Sequence, residues 1–276
     1  MSMDVILTSA SSTHQGKVRK HNEDSVFTSV RDPGKGEPLG LLIVADGVGG
    51  QKAGDIASAI AVDTVYEHMS WFIDRDPADD TRPTGIRNRD GEVVNDVSLI
   101  ETRLKIAIQA ANRKILAYAQ ENPIEAGNMG TTLTCALIHG TQITMAHIGD
   151  SRCYRFRQGE LEQITEDHSF VGQMVRDGQL TEDAYYIHPR RNVITRALGQ
   201  FEEPEVDIWT MPVETDDEYL LCSDGMWEMV RNPAIKQALL DRGDLASTAD
   251  SLVKLANENG GSDNISVVLG RISRKQ

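Results

Sequence analysis

Cysteine is scarce in this chain of 276 residues: only Cys135, Cys153 and Cys222 are present. Their number is odd, each sits in an apolar stretch, and none has C-x-x-C spacing, so neither a disulfide framework nor a zinc site is suggested. Buried thiols are the plain reading. Basic residues are also in short supply, 28 Lys and Arg against 42 Asp and Glu, a formal net charge of −14. Nucleic acid and anionic membranes both require clustered cations, so neither is an expected partner. Long hydrophobic runs are missing as well. The longest, at 39–45, is far too short to span a bilayer. Residues 1–13 have no basic segment followed by an apolar one, so no signal peptide is expected and the default setting is cytoplasmic. No G-x-x-x-x-G-K-[ST] loop or G-x-S-x-G elbow occurs. Gly47-Val48-Gly49 opens like a dinucleotide fingerprint, but Lys52 stands where a small residue is required.

What is present reads as one globular unit, since 39% hydrophobic and 25% charged residues argue against extended disorder. Strand-type runs are expected at 25–30, 39–45, 131–138, 142–148, 152–156, 206–211, 219–222 and 265–272. The runs at 131–138 and 142–148, joined by His139-Gly140-Thr141, suit an antiparallel hairpin. Helices are expected at 52–69, 98–120, 232–240 and 245–259. In the second, Ile100, Leu104, Ala107, Ala111, Ile115 and Tyr118 recur at helical spacing, so its apolar face packs on something flat, most simply a sheet. Residues 74–96 are polar and rich in Asp, Arg, Pro and Gly, which suggests a surface loop. Residues 169–192 carry two helical patches around Arg176-Asp177-Gly178 and suggest a lid inserted between strands. No domain boundary is visible, so 1–276 is expected to be one domain.

The informative pattern is a recurrence of acids at strand ends. Apolar runs finish at Asp46-Gly47, Asp150-Ser151 and Asp224-Gly225, and Asp263 immediately precedes the run that starts Asn264-Ile265. Singly, each Asp-Gly is also an ordinary turn. Together, converging on one sheet edge, four carboxylates would repel unless cations held them. Carboxylates with a backbone carbonyl are hard oxygen ligands suited to Mg²⁺ or Mn²⁺, and a glycine after the acid lets the main chain approach closely. Arg19-Lys20-His21-Asn22-Glu23-Asp24 adds two acids beside a guanidinium that could grip a phosphate, although alone it is also a solvated charged loop. His147, on the strand leading to Asp150, is the histidine best placed to support a ligand.

These segments, with Gly130-Thr131-Thr132 and Gly260-Gly261-Ser262-Asp263-Asn264, occur in an order that resembles the metal-dependent, type 2C protein phosphatases, from about Gly16 to Val268. The resemblance implies an α+β fold of two antiparallel β-sheets packed face to face and flanked by helices, and a protein serine/threonine phosphatase using two Mn²⁺ or Mg²⁺ ions. By position, Asp46 would bridge the ions and the Gly47 carbonyl would bind the second. Asp224 and Asp263 would complete the first site. Glu23 would bind the second ion, with Asp24 supporting it through water. Asp150 with Asp224 matches a weaker third site, Arg19 would hold the substrate phosphate, and 169–192 looks like the family's flap, closed by 194–199. Some members carry a histidine acid after the first Asp-Gly; here Val48 stands in that place, and the general acid stays unassigned. Phosphorylated proteins, and a cognate Ser/Thr kinase with its substrates, are the implied partners. The rival from another class is a regulatory module of the same fold that binds phosphoproteins without hydrolysing them. Loss of a metal acid would favour it, and none is lost.

Overall fold

The run Leu39–Val48 forms a strand, β3, whose alternating side chains serve two different interiors. Leu41, Ile43 and Ala45 enter a core shared with helices, whereas Leu42 and Val44 enter a core shared with a second sheet. Both faces being covered, the run carries no polar residue until Asp46. This arrangement is seen in a computed structural model describing residues 5–31, 37–49, 53–73, 96–241 and 243–275.

One sheet runs in the order β2 (Asp24–Val30), β3, β5 (Leu133–His139), β6 (Gln142–Ile148) and β9 (Asp207–Pro212), with the short β4 (Gly130–Thr131) on the end of β3. The other runs β1 (Val5–His14), β11 (Ile265–Arg274), β10 (Glu218–Cys222), β7 (Arg152–Arg157) and β8 (Glu160–Gln163). All these pairings are antiparallel. The sheets meet through Val5, Leu7, Met145, Tyr219, Leu221 and Val268, among others. Helices α1 (Gly54–Ile73) and α2 (Asp96–Glu121) cover the first sheet through residues such as Ala57, Val65, Leu104 and Ile108. The short α3 (Pro123–Ala126) follows α2. Helices α7 (Asn232–Leu240) and α8 (Leu245–Glu258) cover the second sheet through Ile235, Leu239, Ala249 and Leu252. The fold is therefore the α+β sandwich that the family resemblance implies. No described helix is long and apolar enough to cross a membrane.

Between β8 and β9 lie α4 (Phe170–Arg176) and α5 (Glu182–Tyr185), the two helical patches of the expected lid. Ser169 and Thr181 cap them with side-chain oxygens that accept from the amides of Gly172 and Ala184. Most of the expected loop at 74–96 lies outside the described residues, and its last residue, Asp96, begins α2. The β5–β6 hairpin closes over Gly140-Thr141, His139 pairing Gln142, and Gly140 takes the positive φ of 58° that the tight turn requires.

The structure departs from expectation at several places: the helix expected at 52–69 is α1, which runs on to Ile73, and the short α3 and the helical turn Asp224–Trp227 were not expected. Strands β1 and β8 were not legible. The expected strand 131–138 is split at Thr132, whose amide bonds Asp46 instead of a ladder partner. Asp46 lies inside β3, two residues before its end.

Candidate metal centre

Antiparallel pairing of β2 and β3 sets Asp24 directly across from Asp46. Asp46 is held at its backbone. Its N–H donates to Thr132 Oγ1 at 2.9 Å, and its carbonyl accepts from the Thr132 amide and the Thr131 hydroxyl, both at 2.9 Å. Thr132 Oγ1 also lies 2.8 Å from the hydroxyl of Ser151, the residue after Asp150, so one threonine links two of the acids. Asp150 sits where the chain crosses from β6 in the first sheet to β7 in the second, and its carbonyl accepts from Trp227 Nε1 at 3.0 Å.

The second sheet brings the remaining acids. Asp224 opens a helical turn, α6 (Asp224–Trp227), at the end of β10. Ser223, just before it, donates its hydroxyl to Asp24 Oδ2 at 2.7 Å, tying the two sheets together at the site. Asp263 precedes β11, and Arg19 Nη2 donates to its Oδ2 at 2.6 Å. Glu23 donates its amide to Asn264 Oδ1 at 2.8 Å, and its carbonyl accepts from the Gly47 amide and the Ser58 hydroxyl. Seven expected site residues, Arg19, Glu23, Asp24, Asp46, Asp150, Asp224 and Asp263, are thus knitted into one region, together with Gly47. The glycines are there for close approach: a Cβ on Gly47 would lie 2.1 Å from the Gly54 carbonyl oxygen, and one on Gly225 would lie 2.1 Å from that of Asn264.

Burial, with repulsion between neighbouring acids, pushes five of these carboxyls, Glu23, Asp24, Asp46, Asp150 and Asp224, upward. Burial, then the neighbouring Asp263 and Glu23 against bonds from Ser266 and Ser223, raises Asp24 to about 6. Burial and then Asp167 raise Asp150 to about 7. Asp46 and Asp224 are driven well above the ordinary carboxylate range by burial first, and next by Asp24 and Asp150 respectively. Burial likewise raises Glu23. Asp24 Oδ1 and Asp224 Oδ1 are buried and accept no hydrogen bond. Unpaired carboxylate oxygens in an all-oxygen donor set are suited to a hard divalent cation, so the residues fit one. Among the described residues no group of three or more His, Cys, Asp and Glu side chains is already drawn up around a point to hold an ion. The fit therefore rests on donor chemistry and unpaired atoms rather than on a closed cage.

Several residues around the acids had no role assigned from sequence. Thr131, Thr132, Ser223 and Asn264 were visible only as small polar neighbours of the acids in the motifs. Glu228, whose carboxyl is raised chiefly by burial, pairs with Arg191 of the lid at 3.2 Å. His147 bonds Thr134 Oγ1 and the Glu166 carbonyl, each at 3.0 Å, and burial lowers it to about 4. It packs 4.8 Å from the His168 ring. A cavity of 380 Å³ beneath α4 and α5 is lined by none of the clustered acids and surrounds the buried Arg152–Asp167 pair. All three cysteines are buried, and burial raises each thiol, Cys135 to about 12, so none is poised as a nucleophile.

A family model described as "Protein phosphatase 2C" matches residues 13–269. The serine/threonine phosphatase stp of Listeria monocytogenes is 36% identical over 257 residues, covering 93% of this chain and 92% of its own length. Among solved structures, the serine/threonine phosphatase Stp1 from Staphylococcus aureus superposes with a TM-score of 0.79 at 32% identity, over 98% of this chain and 97% of that one. The catalytic domain of the serine threonine protein phosphatase PstP, in complex with 2 manganese ions, superposes with a TM-score of 0.76 at 33% identity, over 98% and 99%.

Proposed function

The chain belongs to the protein phosphatase 2C family, and from that premise we infer that it is a metal-dependent protein serine/threonine phosphatase. The observation that carries this reading is the gathering of buried, charge-strained carboxylates with unpaired oxygens beside a guanidinium. In this reading Asp46 would serve both of two Mn²⁺ or Mg²⁺ ions, and the Gly47 carbonyl would bind the second. Asp224 and Asp263 would hold the first and Glu23 the second, while Asp24, bonded by Ser223, would assist the second through water. Asp150 and Asp224 would take a weaker third ion. Bound divalent ions offset the negative charge of a phosphomonoester and make water acidic enough to attack near neutral pH.

The chain's own residues do the rest. Arg19 is half exposed beside Asp263, where its planar fork can bind two phosphate oxygens. Ser223 and Thr132 hold Asp24 and Asp46 in place. Val48 offers no proton, and the thiols are sealed away, so attack proceeds without a cysteine intermediate. The unit 1–276 is one catalytic domain in this reading, with 169–192 as a flap governing access of phosphorylated proteins. A cognate Ser/Thr kinase and a cytoplasmic setting complete the proposal. The regulatory-module alternative is not favoured, because every expected acid is present in the cluster.

The test is Asp46→Asn and Asp224→Asn, assayed on a phosphothreonine peptide and on p-nitrophenyl phosphate with Mn²⁺. Both variants should lose turnover while keeping the parent circular dichroism. Parent-level hydrolysis by Asp224→Asn would overturn the site assignment.

A further inference from the structure

The segment 15–23 carries Arg19 and Glu23 yet forms no helix and joins no ladder. Something must fix it against Asp263, and a single side chain makes most of the connections. Asn264 is 4% exposed and stands between Asp263 and β11. Its Oδ1 accepts from the Glu23 amide at 2.8 Å, and its Nδ2 donates to the carbonyls of His21 at 2.8 Å and Gln15 at 2.9 Å. The reverse amide orientation is excluded by its surroundings, since it would set an oxygen against two carbonyls and an NH₂ against an N–H. The backbone of Asn264 works on the other side. Its N–H donates to Asp263 Oδ1 at 2.8 Å, and its carbonyl lies against Gly225, beside Asp224. Among the described residues, the other backbone tether from 15–22 to this part of the chain is the Lys17 amide on the Gly261 carbonyl, with Gly16 at φ +80° packed on the Asp263 carbonyl.

We propose that Asn264 is a positioning residue that sets Glu23 and Arg19 against Asp263 and thereby fixes the separation of the two metal-binding halves of the site. This deepens the phosphatase reading and rests on its assignment of Glu23 and Asp263 to divalent cations. Asn264→Asp is the sharpest perturbation. It keeps shape but replaces two donors with an acceptor facing two carbonyls, so segment 15–23 must move away. Asn264→Ser keeps one polar group without the span to reach all three partners.

The experiment measures Mn²⁺ binding by calorimetry, with no substrate, on the parent and both variants. It adds KM and kcat for p-nitrophenyl phosphate and inhibition by inorganic phosphate. Asn112→Ala is the control: Asn112 is equally buried and ties Gly199, Phe201 and Glu202 through three bonds elsewhere in the fold. Loss of a supporting group beside metal ligands weakens metal binding by about 10–100-fold. Both Asn264 variants should show that loss with a raised KM and weaker phosphate inhibition, whereas Asn112→Ala should lower the melting temperature without moving Mn²⁺ affinity. Parent-like Mn²⁺ and phosphate affinities in folded Asn264→Asp overturn the proposal. A parent that binds no Mn²⁺ overturns the phosphatase reading instead. Should neither variant fold, amide exchange in the parent decides: the Glu23 amide should be protected like its β3 neighbours, and fast exchange overturns the proposal.

Discussion

Stripped of metal by a chelator, this protein should become less stable as pH rises, opposite to the usual behaviour of a protein whose carboxylates are salt-bridged. Asp24 and Asp150 titrate at about 6 and about 7 in the folded state, against 3.8 when unfolded. The folded state holds those protons more tightly, so the associated stability is fully present below about pH 4 and is lost as pH climbs through 6 to 7. A pKa unit corresponds to about 1.4 kcal/mol, so Asp24 alone accounts for about 3 kcal/mol and Asp150 alone for about 4. The joint effect is smaller than their combination, because Asp46 and Asp224 lie within the same field and protons on one acid relieve the others. The assay is urea unfolding followed by tryptophan fluorescence from pH 4.5 to 8, with chelator or with excess Mn²⁺. The chelated parent should lose a few kcal/mol across that range. Mn²⁺ should reverse the slope, since ions compete with protons for the same oxygens. Asp150→Asn isolates the cause from the general relief of a −14 net charge. Without metal it should match the parent near pH 4.5 and exceed it at pH 8. Chelated parent gaining stability over this range, or Asp150→Asn falling below it at pH 8, would refute the reasoning.

Other consequences are simpler. Arg152 grips Asp167 with two prongs, at 2.9 and 2.7 Å, and lies 3.6 Å over the Trp227 ring, all buried. Arg152→Met strands the Asp167 charge and should cost about 3–5 kcal/mol in urea unfolding. Gly47→Ala should abolish turnover and lower the melting temperature, because the Gly47 and Gly54 main chains must part to admit a methyl group. Ellman's reagent should leave all three thiols unmodified in the folded protein and modify all three in urea, with peptide hydrolysis untouched by prior treatment of the native form.

Legibility in the sequence followed how locally each feature is determined. Strand 142–148 and helix 232–240 come out at their expected limits, the helix because Pro233 sits in its first turn. β1 hid because its buried residues, Val5 and Leu7, are followed by Ser and Thr; it exists through ten paired positions on β11. The acids were legible as a set because each follows or precedes an apolar run. Their supports were not, because these are bonds across great sequence distance: Ser223 to Asp24 spans 199 residues and Asn264 to Glu23 spans 241. The pairing of Arg19 with Asp263 is likewise a meeting of chain ends that no local pattern announces.

The crossing of Asp150 between sheets, with Glu23, Asp24 and Asp46 on one side and Asp224 and Asp263 on the other, has a mechanical corollary. Cations held at this rim, as proposed, would act as rivets through the seam of the sandwich, so that loading them and clamping the two leaves together would draw on a single free energy. Ambient manganese or magnesium would then set how often the leaves breathe apart, and a substitution deep in the seam, far from any acid, would register as altered metal affinity.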